Sequence, residues 1–136
     1  MDFSIIIILA VAAIIIWKYS EQFYIRFKGG HFERLNVAEL KLYMKTNKPN
    51  KDFLLVDVRT EPELKLGKIG GSINIELKQL KPDDLRLQSY RDRPVVIYCE
   101  SGSRSKKAAI LLAKNRFSKV YYLAGGYQVW RGDASL

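Results

Sequence analysis

The chain has 136 residues, with 23 Lys and Arg against 14 Asp and Glu, a formal net charge of +9, one Cys and one His. That length admits one domain of about 100–120 residues plus an appendage. One cysteine excludes an internal disulfide, and one Cys with one His excludes zinc sites built from several such ligands, so no metal or other cofactor is implied.

The appendage comes first. "FSIIIILAVAAIIIW" at 3–17 contains no charge and only Ser4 as a polar side chain. It falls short of the roughly 20 residues that cross a bilayer core, but Met1, Asp2, Lys18 and the interface-seeking Trp17 and Tyr19 extend it. The expectation is a single transmembrane helix over 1–20. A buried core helix is the next alternative, and a cleaved secretory signal fits less well, because Asp2 precedes the apolar run and Ala10, Ala12 and Ala13 lie inside it. Every Lys and Arg follows residue 17, so the positive-inside tendency puts the N-terminus outside and the rest in the cytoplasm. A free thiol persists most readily in a reducing compartment, which agrees.

Residues 21–31 are read as an amphipathic or juxtamembrane linker. Tyr19, Phe23 and Phe27 recur every four residues among Lys18, Arg26 and Lys28, which suits a helix lying on the membrane surface or one continuing straight out of it. Gly29-Gly30 then breaks the pattern. The basic excess is assigned to the anionic cytoplasmic leaflet, with no nucleic-acid partner.

From residue 32 to 136 strand-like and helical patterns alternate. "HFERL" is a weak strand, and Asn36 is an N-cap for "VAELKLYMK", whose Val37, Leu40 and Met44 share a face. "DFLLVDV" at 52–58 is a buried strand, followed by a short helix near "TEPEL", a turn through "GKIGGS" and a brief strand "INI". "LKQLKPDDLRLQSY" is expected as two helical pieces divided at Pro82. "PVVIY" at 94–98, continuously apolar and β-branched, reads as a strand covered on both faces. A helix opened by Ser103 or Ser105, the strand "KVYYL" and a terminal "GGYQVWRG" complete an α/β domain. Its core is an open parallel sheet of about five strands, with helices on both faces.

Such sheets build sites beyond the C-terminal ends of their strands, and Cys99 directly follows "VVIY". After it the chain turns from strand to helix within a few residues. The backbone amides of Glu100, Ser101, Gly102, Ser103, Arg104 and Ser105 can form an anion nest around the sulfur, reinforced by the start of the next helix. The same dipoles favour a thiolate. Arg104 is either an anion clamp or a brace for the loop. Against this stands the ordinary behaviour of a free Cys as a small buried hydrophobe.

Four dispersed stretches now resemble the rhodanese-type sulfurtransferases over about 32–133: "LLVDVRTEPEL", "GKIGGSINI", "VVIYCESGSRS" and "YLAGGYQVW". The family's loop resembles Cys-x4-Arg, whereas related phosphatases resemble Cys-x5-Arg; Arg104 is the fifth residue after Cys99, matching sulfur transfer. The resemblance implies a rhodanese-like fold and a catalytic Cys99 that carries sulfane sulfur from thiosulfate or a persulfide donor. A thiol, a protein thiol or cyanide then accepts it. The resemblance also implies that Asp57 and Arg59 shape the pocket; an ordinary surface ion pair is the alternative. Gly125-Gly126 and Trp130 are read as packing.

Lys68 and Gly70 depart from the family's His and Pro. Glu100, an acid beside Cys99, is expected to raise the thiol pKa or to disfavour dianionic thiosulfate, making a persulfide the better donor. Lys106 and Lys107 would offset it, or simply form a solvated face. The runner-up function is a non-enzymatic scaffold that binds partners or senses persulfide at the membrane.

Overall fold

Short apolar runs separated by capped helices give this chain its sheet. The structure, a computed structural model, describes residues 2–27 and 31–133, without the side chains of 21–27. The strands are β1 Phe32–Leu35, β2 Leu54–Asp57, β3 Ile73–Asn74, β4 Val95–Tyr98 and β5 Val120–Leu123. They pair in parallel in the order β1-β5-β4-β2-β3.

The helices follow from local chemistry. In α2, Val37–Thr46, the Asn36 side chain accepts from Glu39 N at 2.8 Å, and the Glu39 carboxylate accepts from Asn36 N at 2.7 Å. That reciprocal pair satisfies two donors the helix start would otherwise leave open. In α3, Glu61–Leu64, Pro62 occupies the first turn, where its missing N–H costs nothing. The segment expected as two helical pieces folds more tightly. It forms a 3-10 turn at Leu77–Gln79 and a single turn, α4 Leu85–Gln88, with Asp84 accepting from Arg86 N at 2.9 Å. The remaining helices are α5 Ser103–Lys114 and α6 Gly126–Gly132.

Alternation along β2 and β4 builds two core layers. Leu54, Val56, Val95, Ile97 and Cys99 meet Ala108, Ala109 and Leu112 of α5 and Phe117 beyond it. On the other face Leu55, Val96, Tyr98 and Leu123 meet Val37 and Leu40 of α2 and Tyr127 of α6. Both faces are covered, which is why these strands read as unbroken apolar runs. Each fully buried Val, Leu, Ile or Phe among them contributes about 1.5–3 kcal/mol.

At the N-terminus, α1 runs unbroken from Phe3 to Phe27. Its segment Phe3–Ser20 has mean hydropathy 2.2, has no buried residue and is long and apolar enough to cross a membrane. Of the side chains expected to give the amphipathic pattern, Lys18 and Tyr19 are exposed, while those of Phe23, Arg26, Phe27 and Lys28, and Gly29-Gly30, lie outside the described residues.

Candidate functional site

Parallel pairing sets the ends of β2 and β4 side by side: Asp57 aligns with Tyr98, and Val58 N donates to Tyr98 O at 3.0 Å. Cys99 therefore leaves the sheet at its C-terminal edge, next to Asp57 and Arg59. Between β4 and α5 the loop turns on Gly102, whose φ of 108° lies in the left-handed region. Gly102 N donates to Cys99 Sγ at 3.1 Å and Ser105 N does so at 3.4 Å. The Cys99 thiol donates to Ser105 Oγ at 3.5 Å, and that hydroxyl donates to Gly102 O at 3.0 Å.

Burial alone pushes the Cys99 thiol up. The Ser105 hydroxyl and the backbone amides of Ser105, Gly102 and Ser101 outweigh it and hold the thiol below its ordinary value. Cys99 is fully buried and part of the core, as a small hydrophobe would be. What separates it from one is the amide cradle around the sulfur, which suits a thiolate.

The loop keeps its amides inward because its carbonyls are taken. Tyr127 N, in the first turn of α6, donates to Cys99 O at 2.8 Å, and Gln128 N donates to Glu100 O at 3.1 Å. This approach needs Gly126: a Cβ there would lie 2.5 Å from both carbonyl oxygens. Gly125-Gly126, read from sequence as packing, thus orients the sulfur loop. Trp130 does pack, half-buried against the α2 layer with Lys41 Nζ 5.4 Å from its ring centre.

Arg104 braces the loop. Its two guanidinium nitrogens donate to Glu63 of α3 at 2.8 and 2.6 Å, a bidentate pair. This Arg104 contact, ahead of the Thr60 backbone and hydroxyl, holds the Glu63 carboxyl at about 2. Glu63 was missed in sequence; the Thr60-x-x-Glu63 spacing signals only a helix cap.

Asp57 and Arg59 are no surface pair, since both are buried. Arg59 Nη2 donates to Asp57 Oδ2 and to Gly67 O, each at 2.8 Å, and the guanidinium stacks 4.3 Å from the Tyr127 ring centre. Burial works against its charge, but the Asp57 carboxylate prevails and holds Arg59 protonated.

Glu100 does not stand unpaired beside Cys99. Its carboxylate lies 3.3 Å from Arg59 Nη1 and 3.5 Å from Arg131 Nη2, so two guanidinium groups offset its charge. The neighbouring thiol is held below its ordinary value by the Ser105 hydroxyl and the loop amides. Ser101 and Ser103 are exposed at the loop's outer side, as are Lys106 and Lys107 on α5.

Residues 36–133 match the rhodanese-like domain. The chain belongs to the rhodanese-like family. Its relatives include the uncharacterized protein YqhL of Bacillus subtilis, 41% identical over 57% of this chain and 60% of that one. The uncharacterized protein YibN of Escherichia coli is 31% identical over 61% of this chain and 59% of that one. A tRNA uridine(34) hydroxylase of Buchnera aphidicola is 31% identical, but the match spans only 29% of its length. Among solved structures, a rhodanese-like domain protein from Staphylococcus aureus is 30% identical with a TM-score of 0.62, covering 76% of this chain and 95% of that one. A rhodanese-related protein from Thermoplasma volcanium is 27% identical, with a TM-score of 0.63 and the same coverage. The rhodanese-like match covers α2 to the end of α6.

Proposed function

We propose that this rhodanese-like chain is a membrane-anchored sulfurtransferase, held by α1 with its domain on the cytoplasmic side, that carries sulfane sulfur on Cys99. The observation that supports it best is the amide cradle on Cys99 Sγ inside a Cys-x4-Arg loop. The Cys99 thiolate attacks the outer sulfur of thiosulfate. A Cys99 S–S bond forms, the donor's S–S bond breaks and sulfite leaves with its electron pair. With a persulfide donor, a thiolate leaves instead. An acceptor thiolate or cyanide then takes the outer sulfur, and Cys99 departs as thiolate.

The amides that lower the thiol pKa also face the negative persulfide between steps. Because Cys99 is fully buried, each transfer includes an opening of the loop mouth. With Glu100 neutralised by Arg59 and Arg131, thiosulfate is a competent donor beside persulfides.

Incubating the full chain in detergent with thiosulfate and weighing it intact tests the reading. The expected result is a one-sulfur adduct that cyanide removes and that Cys99→Ser lacks; no adduct overturns it. The burial of Cys99 favours one other reading, a persulfide sensor, for which the adduct forms but transfers no faster than a free thiol's.

A further inference from the structure

Every strand of the sheet enters from one edge, and the loops there are rich in cations. Lys48 and Lys51 precede β2, Arg91 and Arg93 precede β4, and Arg116 and Lys119 precede β5; Asp52 and Asp92 are the acids among them. Among the described residues, none of these six cations is ion-paired. Lys48, Lys51, Arg116 and Lys119 are exposed.

The two half-buried arginines are fixed in place. Arg91 donates to Asn115 O at 2.6 Å and stacks 4.8 Å from the Phe117 ring centre. Arg93 stacks 4.6 Å from the Tyr90 ring centre and donates to Lys51 O. Carbonyls and rings leave their positive charge uncancelled. Asp52 is turned inward on Lys48 N at 2.8 Å.

The apolar N-terminal helix joins the same edge. His31 O accepts from Val120 N at 3.1 Å at the entry to β1. The chain from Phe27 to His31 reaches at most about 14 Å. Cys99 lies at the far edge, a strand length of about 13 Å away.

We infer that this basic edge docks on the anionic headgroups of the membrane that holds α1, so that the Cys99 loop faces away from the bilayer. The inference rests on α1 being a membrane span. The tether raises the local concentration of headgroups, and six unpaired cations on one edge match their phosphate groups. A tethered domain with no preferred face would leave the sulfur loop against the lipid part of the time. Docking by the opposite edge keeps it open to acceptors in the aqueous phase.

The test is amide hydrogen exchange of the full chain in nanodiscs of phosphatidylcholine, alone or with phosphatidylglycerol. Phosphatidylglycerol is expected to slow exchange at 48–52, 90–93 and 115–119 about tenfold or more, and not at 100–104, with the effect lost in about 0.5 M salt. The combined variant Lys48→Gln, Lys51→Gln, Arg116→Gln and Lys119→Gln is expected to lose this protection while forming the Cys99 adduct as before. Equal exchange in both discs, protection at 100–104, or protection that survives in the variant overturns the inference alone. Stronger protection by tRNA in phosphatidylcholine discs overturns it in favour of nucleic acid. A chain that enters neither disc overturns the anchor and the inference together, and leaves sulfur transfer standing.

Discussion

At the C-terminal edge of the sheet the carboxylates of Asp57, Glu63 and Glu100 are each held by a guanidinium, whereas at the N-terminal edge Lys48, Lys51, Arg116 and Lys119 stand exposed with no carboxylate partner among the described residues. The loops at the N-terminal edge set six cations against two acids, whereas these three carboxylates each meet a guanidinium, so the edges differ in composition and in partnering. The ion pairs beside Cys99 hold the loop in one geometry, which sets the Ser105 hydroxyl and the backbone amides on the sulfur. Unpaired charge at the other edge remains available to an external anion.

Breaking the most buried pair gives the largest effect. Asp57→Asn leaves the Arg59 guanidinium, 1% exposed, without its principal carboxylate. Uncompensated buried charge of this kind costs about 3–5 kcal/mol, measurable as a drop in urea-unfolding stability. Glu100, 3.3 Å away, limits the loss. An unchanged stability would mean that Arg59 is held by its carbonyl and aromatic contacts instead.

Next comes the backbone contact that aims the loop. Gly126→Ala puts a Cβ 2.5 Å from the carbonyl oxygens of Cys99 and Glu100, at a φ of 60°. Forced overpacking of this kind costs about 1–3 kcal/mol. Because the carbonyls must move, the amides turn from the sulfur and the Cys99 pKa rises. Iodoacetamide alkylation is the readout, with its midpoint expected at higher pH than in the parent chain. A loss of stability with an unmoved midpoint would reduce Gly126 to a packing residue.

These two residues mark what the sequence makes legible. The reciprocal Asn36–Glu39 cap is readable because its partners are three positions apart, and the Cys99 loop because its amides come from the next six residues. The strands are readable because both faces of the sheet are covered. Glu63 and Arg104, by contrast, are 41 residues apart, as are Arg59 and Glu100. No local pattern specifies that they meet. Glu100 looked like a threat to the thiolate because its sequence neighbour is Cys99, while its neutralising partners arrive from β2's end and from α6. Gly126 looked like packing because the carbonyls it makes room for belong to a different turn.

The Glu63–Arg104 brace gives a smaller, pH-dependent effect. Arg104 and the Thr60 contacts hold the Glu63 carboxyl at about 2, against 4.5 for an ordinary glutamate. The folded-state pKa is depressed, so the brace contributes fully above pH 4.5 and is lost as pH falls toward 2. Both partners are about a third exposed, which limits the contribution to about 1 kcal/mol. Glu63→Gln should remove that increment at neutral pH and flatten the acid limb of the stability profile between those values. An unchanged acid limb would place the brace's energy in geometry alone.

The smallest effect belongs to the opposite edge, and its smallness is informative. Lys51→Gln and Arg116→Gln remove charges with no ion partner among the described residues. Surface changes of this kind stay within about 0.5 kcal/mol, and lowering a like-charged cluster works slightly in favour of the fold. Urea unfolding of each variant in detergent should therefore match the parent chain or exceed it marginally. A loss above about 1 kcal/mol would mean that these cations already satisfy a partner within the chain, and the contrast between the edges would fail. If stability holds while affinity for anionic lipid falls, the charge at this edge serves the surroundings of the fold rather than the fold itself.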